Sequence, residues 1–369
     1  MGLASLTIAL CFAALATRID GTGGPYLYTR RAFGDFFGFE VGWMQWFTRA
    51  ASQSAIMAGT PVALGYYWPQ LTTGWPRATV IVALSGALAW VNIRGVRQSA
   101  WVVNVLTIAK LVPLALFIVG GLAFVEPSRL TNLPPLTIHQ ALAGALMLVF
   151  MYGGYEVVPV PGGEAIDPRR DVPFALVATI LSVTVVMTLA QAVAQGVLPD
   201  LASHATPIAD AAAVSLGATG ALVVGAGSIV SMTGNNAGQV LTGSRMIFAL
   251  AEHDQLPAWF GRIHRVYRTP SNAVLFTSVV ATLLALSGSF GRLAVVAAFA
   301  RLIMYGGCAA ATLKLRLATA VPIVALAVSA LIATGANREQ FFGGAIALAV
   351  GAALYVGRFY PSSRSNSSG

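Results

Sequence analysis

The stretch Phe150–Pro173, FMYGGYEVVPVPGGEAIDPRRDVP, is the one on which the fold turns. It belongs to an apolar segment that begins near His139, yet it does not read as one clean helix. Gly153 and Gly154 weaken the backbone, and Pro159 and Pro161 each remove an amide donor and clash with the preceding turn. Glu156 sets a carboxylate among them at membrane depth. In lipid, broken backbone is tolerated only where it is buried in protein or lines a cavity. One reading is a transporter's substrate site, a discontinuous span with loose carbonyls and half-helix dipoles near the midplane. The other is a proline-kinked packing helix, since Gly and Pro are common in membrane helices.

Composition bears on the choice. The chain is 57% hydrophobic and 9% charged, where a soluble domain averages about a quarter charged, so it reads as an integral membrane protein. Its net charge of +9 would point to nucleic acid in a soluble protein. Here the basic residues stand at the ends of apolar runs, where membrane topology explains them and nucleic-acid binding is a poor reading. Cys11 and Cys308 both fall inside apolar runs, which argues against a disulfide framework.

Apolar runs of about 20 residues read as spans at 3–19, 40–67, 78–93, 101–125, 139–161, 173–197, 213–250, 271–288, 291–313, 318–335 and 341–357. This is an all-α polytopic membrane protein with about eleven transmembrane helices. The seventh run is too long for one crossing, and its end from Arg245 is expected to project beyond the bilayer. Met1 opens directly into the first run without the basic region of a signal peptide. The tail 361–369 reads as disordered. Alternate loops differ sharply in Lys and Arg. One side holds only Arg77, Arg129, Arg292 and Arg338, and the other holds nearly all the rest. The positive-inside rule then places the 162–172 and 251–269 loops and the C-terminus in the cytoplasm of a multi-pass cell-membrane protein. It also places the N-terminus outside. The motif LPAWFGRIHRVY, in the 251–269 loop, has near-helical amphipathic spacing and is expected to lie along the interface. His253 and His264 there read as solvated loop residues rather than metal ligands. No Cys/His cluster, phosphate loop or nucleophile elbow appears, so no cofactor and no enzyme activity are expected.

Four ionisable positions inside the membrane matter: Arg49, Lys110, Glu156 and Arg301. A charge there costs about 2.5–3.5 kcal/mol on insertion scales and usually faces the bundle interior. Lys110 either snorkels or turns inward to pair with carbonyls or a carboxylate. Turned inward, it can occupy the place of a sodium ion and serve proton coupling. Glu156 is a candidate proton carrier or amine contact. Arg49 and Arg301 suggest no specific role. In SMTGNNAGQVLTGSR, Gly234 and Gly238 stand four apart, as for close helix approach. Ser231, Asn235 and Asn236 are either packing glue or, for Ser231 and Asn235, part of the cavity around Glu156.

Three long motifs then carry a resemblance: GTGGPYLYTRRAFGDFFGFEVGW, FMYGGYEVVPVPGGEAIDPRRDVP and LTGSRMIFALAEHDQLPAWFGRIHRVYRTPSNAV. In order and in content they resemble the amino acid–polyamine–organocation superfamily, over nearly the whole chain. The resemblance implies an inverted five-helix-repeat permease that moves amino acids or related amines by alternating access, proton-coupled or as an exchanger. It implies a substrate site from Phe150, the gating aromatic, through Tyr152, Gly153, Gly154, Tyr155 and Glu156, whose carbonyls hold the amino group. Ser231 and Asn235 match eighth-helix positions near that site, and Lys110 matches a lysine that stands in for sodium. Residues 3–125 become an incomplete first repeat, 139–313 the second repeat and 318–357 two terminal helices. Only four spans precede the broken one where the family has five, so the family's first helix is expected to be lacking. Adding it would restore an even count and a cytoplasmic N-terminus. An alternative is a non-transporting membrane protein that keeps the permease fold.

Overall fold

A computed structural model describes residues 1–19, 23–131, 135–160 and 167–359, and the tail expected to be disordered lies outside them. Among the described residues thirteen α-helices follow one another: α1 (Gly2–Ala16), α2 (Pro25–Phe33), α3 (Asp35–Leu64), α4 (Gly74–Arg94), α5 (Val96–Gly121), α6 (Pro127–Thr131), α7 (Ile138–Tyr152), α8 (Pro168–Val197), α9 (Pro207–Glu252), α10 (Ser271–Ser287), α11 (Phe290–Lys314), α12 (Ala320–Ala333) and α13 (Arg338–Phe359). No strand occurs among the described residues. Each expected span coincides with one helix, and α2 and α6 are short additions in loops. By length and apolar composition, α4, α5, α8, α9, α11 and α13 are able to cross a membrane, and α1, α7, α10 and α12 are shorter apolar helices. The remaining long helix, α3, runs for 30 residues but buries Glu40, Gln45, Arg49 and Gln53.

Two elements depart from the sequence expectation. At about 1.5 Å per residue, the 46 residues of α9 would span more than twice the ~30 Å apolar core. The excess does not lie only beyond Arg245. The helix is interrupted at Gly217 (φ 72°, ψ −175°), which sets off residues 207–216 as a separate piece. The amphipathic motif in the 251–269 loop forms turns, not helix. Pro257 and Pro270 bracket it, and Asp254 and Arg268 take positive φ, so a continuous hydrogen-bonded run is broken at both ends. His264 Nδ1 there accepts from the Val266 and Tyr267 amides, each at 3.2 Å.

Helices α3, α9 and α11 form the centre. The most extensive packing is of α5 on α9, α11 on α3 and α3 on α9. Without a hydrophobic drive between helices in lipid, close approach depends on small residues, and α11 meets its neighbours with Ala294, Ala297, Ala298, Ala300, Ala309 and Ala311, all buried. On α9, Gly234 lies against Leu106 of α5, which a Cβ would approach to 2.8 Å, and Gly227 lies against Pro113. Gly238 faces open space. The close seam on α9 therefore pairs Gly234 with Gly227, two turns away, rather than with Gly238.

Candidate functional site

The break that the sequence placed after Phe150 begins at Tyr152. Helix α7 starts at a capping box, Thr137 with Gln140, and stops where Gly153 turns extended (φ −68°, ψ 147°). Gly154 follows at φ 133°, a conformation that side chains rarely adopt, and a short 3₁₀ turn carries Tyr155–Val157. That turn folds the Glu156 carboxylate back so that Oε2 accepts from the Gly154 amide at 2.7 Å. A freed backbone donor is thereby satisfied inside the protein, as broken helices in lipid require.

Glu156 is fully buried, and its remaining bonds come from two distant helices. Arg49 of α3 donates Nη2 to Oε1. From α11, Arg301 donates Nε to Oε1 at 3.0 Å, and the Tyr305 hydroxyl donates to Oε2 at 3.0 Å. Arg301 is in turn fully engaged: Nη2 donates to Ser52 Oγ at 3.2 Å, and Nη1 to the carbonyls of Val149 at 3.3 Å and Phe150 at 3.5 Å. Its guanidinium lies where a Cβ on residue 153 would be. Gly153 is thus needed for a close approach: the gap left by its missing side chain admits the arginine to the carbonyl end of α7.

Aromatic rings enclose this core. Tyr155 stacks on Tyr305 at 5.5 Å, and Phe12 of α1 packs edge-on to both. Phe150 meets Phe290, the first residue of α11, edge to face at 5.8 Å. Beyond Phe290 lies a cavity of about 270 Å³ lined by Gly59, Met232, Ser228 and Thr206 among others.

The sequence-predicted residues fall into two groups. Phe150, Tyr152, Gly153, Gly154, Tyr155 and Glu156 are brought together at the break. Lys110, half-buried on α5, lies outside the Glu156 network. It follows Leu106 by one turn and precedes Pro113 by three residues, and these two contact Gly234 and Gly227. That bracket sets Lys110 on the α9-facing side, level with half-buried Ser231. Asn235 is exposed and accepts from Gln239 at 3.1 Å, whereas its neighbour Asn236 is fully buried. Arg49, Arg301, Ser52 and Tyr305 complete the site, although the sequence assigned none of them a role. The available signal was an excess of buried charge, two arginines for one carboxylate within spans.

Residues 1–356 match the amino acid permease family. The chain belongs to that family. It is 30% identical over 322 residues to the serine/threonine exchanger of Bacillus subtilis, covering 82% of this chain and 70% of that one. It is also 30% identical over 358 residues to an uncharacterized transporter of Mycobacterium tuberculosis, covering 94% of this chain and 79% of the relative. The arginine/ornithine antiporter of Pseudomonas aeruginosa is 28% identical over 288 residues, with 74% of this chain and 59% of the antiporter covered. This permease is a multi-pass membrane protein, and its family consists of transporters rather than enzymes.

Proposed function

We propose that this permease carries amino acids across the cell membrane by alternating access, with the substrate meeting the chain at the break in α7 and with proton coupling or exchange through the Lys110 region. The observation that carries this reading is the interruption at Gly153–Gly154, half-buried between buried Tyr152 and Tyr155 and pinned to α3 and α11 through Glu156 by Arg49 and Arg301. Unwound backbone at that depth, held by side chains from helices distant in sequence, suits a site around which two bundles rock. The packing pattern supports an inverted repeat. Exchanging α1 with α8, α3 with α9 and α5 with α11 turns the α5–α9 contact into α11–α3 and the α1–α11 contact into α8–α5. The named relatives, an amino acid exchanger and an antiporter, support amino acids as cargo.

Lys110 is the coupling candidate because it is a half-buried cation on the α9-facing side of α5, with no carboxylate partner among the described residues. The test is uptake of labelled amino acids into proteoliposomes with and without an inward proton gradient. Lys110→Ala should lose most gradient-driven uptake while keeping measurable substrate binding. Uptake that responds to the gradient equally in both proteins removes Lys110 from coupling, and absence of uptake of any amino acid overturns transport.

A further inference from the structure

The charge balance at the break carries a statement about substrate class that rests on the transport reading above. Two guanidiniums share one carboxylate, so the fully buried cluster holds one surplus positive charge; arginine does not relieve it by deprotonating. The two arginines are not equivalent. Arg301 spends its donors on Glu156, Ser52 and the two carbonyls at the end of α7. Those carbonyls stand at the start of the break, beside the Tyr152–Glu156 segment whose carbonyls the family resemblance assigns to an amino group, and a tethered cation already donates to them. Arg49 makes one such bond, and its Nε is buried without an acceptor.

Further unpaired groups lie on the same seam. Gly243 of α9 faces Arg49, and Gly59 of α3 faces Met232. Between these contacts lie Gln53, one turn along α3 from Arg49, and Asn236 and Gln239, seven and four residues before Gly243. All three are buried, and Gln53 Oε1, Gln239 Oε1 and both side-chain polar atoms of Asn236 lack partners. Buried polar atoms in this number need a ligand or water. Met232 itself lines the cavity that reaches Phe290, so the seam begins about one turn from an opening.

We propose that Arg49, on one seam with Gln53 and Asn236, is a carboxylate-binding site, and that with Arg301 already donating to the carbonyls at the end of α7, the permease selects amino acids of net negative charge and rejects cationic ones. The unused N–H groups of Arg49 match a carboxylate. The neighbouring amides offer both donors and acceptors to the remaining polar groups. A substrate of charge −1 neutralises the cluster, a zwitterion leaves it charged, and a cation doubles the surplus.

The purified chain in detergent should be titrated calorimetrically with glutamate, serine, arginine and succinate. Glutamate should bind at least about tenfold more tightly than serine, and arginine should not bind. Arg49→Gln removes the surplus charge and should bring glutamate and serine to within about threefold of each other. Should that variant not fold, Asn236→Ala keeps the cluster charge and should weaken glutamate alone. Serine or arginine binding as tightly as glutamate overturns the charge selection and leaves amino acid transport standing. Succinate binding with no amino acid bound upholds the anion site and overturns the amino acid reading. No binding of any of the four overturns both.

Discussion

Glu156 has lost all contact with solvent, and every bond its carboxylate accepts comes from neighbouring residues of the chain. One oxygen receives both arginines, and the other receives the Tyr305 hydroxyl and the Gly154 amide. Such a carboxylate holds three segments of chain at one point: α3, α11 and the turn after α7. Removing one member of a buried pair leaves the others uncompensated and costs about 3–5 kcal/mol, whereas a single hydrogen bond to a charged group contributes about 1.5–3 kcal/mol. Glu156→Gln should therefore lower the thermal unfolding midpoint in detergent markedly more than Tyr305→Phe. Equal midpoints for the two variants would show that the carboxylate's charge is not what holds the break. The pairing was legible in the sequence only as a charge imbalance. Arg49 and Glu156 are 107 positions apart and Arg301 and Glu156 145 apart, and no local spacing encodes such a meeting. Asn235 and Asn236 show the same limit over one residue. A step of about 100° around α9 sends one to the surface and the other into the seam, and composition does not fix the helix phase.

At the scale of elements, the α7 break was legible because its cause is local: two adjacent glycines act on their own backbone. The α9 break was not, because Gly217 resembles the many other glycines that small-residue packing places in membrane helices. Its conformation distinguishes it. With φ at 72° and no atom within 4 Å of where a Cβ would stand, Gly217 is required by the backbone and not by crowding. A non-glycine residue held at such an extended positive-φ conformation costs about 1–3 kcal/mol, so Gly217→Ala should destabilise by that amount. Gly238 provides the control. It is helical and likewise faces open space, so Gly238→Ala should be neutral or stabilise by up to about 1 kcal/mol. Chemical denaturation in mixed micelles measures both. Destabilisation of similar size in the two variants would remove the special role given to Gly217. The same open space around Gly238 explains why the pair spaced four apart is not the seam: among the described contacts, α5 meets α9 at Gly234 and Gly227 and not at Gly238.

Across the whole molecule, contacts sort the loops into two ends without reference to charge, and the arginine asymmetry agrees with that sorting. At one end, Lys314 lies over the Phe33 ring at 4.6 Å, while Thr269 bonds the Ile93 carbonyl at 2.7 Å and Arg94 lies over Tyr267 at 5.6 Å. At the other, Arg77 donates to the carbonyls of Ala285 and Gly288, both at 3.0 Å, and Arg129 donates to that of Val197. The arginine-rich end is therefore set by tertiary packing as well as by residue count, and the positive-inside rule predicts a cytoplasmic location for it. Native Cys11 and Cys308 are both buried, so the chain provides a low thiol background for labelling in intact cells. Cysteines at Ser128 and Arg265, exposed positions of opposite ends, should report opposite sides. Ser128→Cys should react with a membrane-impermeant maleimide added outside, and Arg265→Cys only after the membrane is permeabilised. The orientation follows from charge and the opposition from packing, so the two can fail separately. Reversed labelling would overturn the orientation alone, whereas labelling of both from one side would break the two-ended arrangement that the proposed alternating access requires.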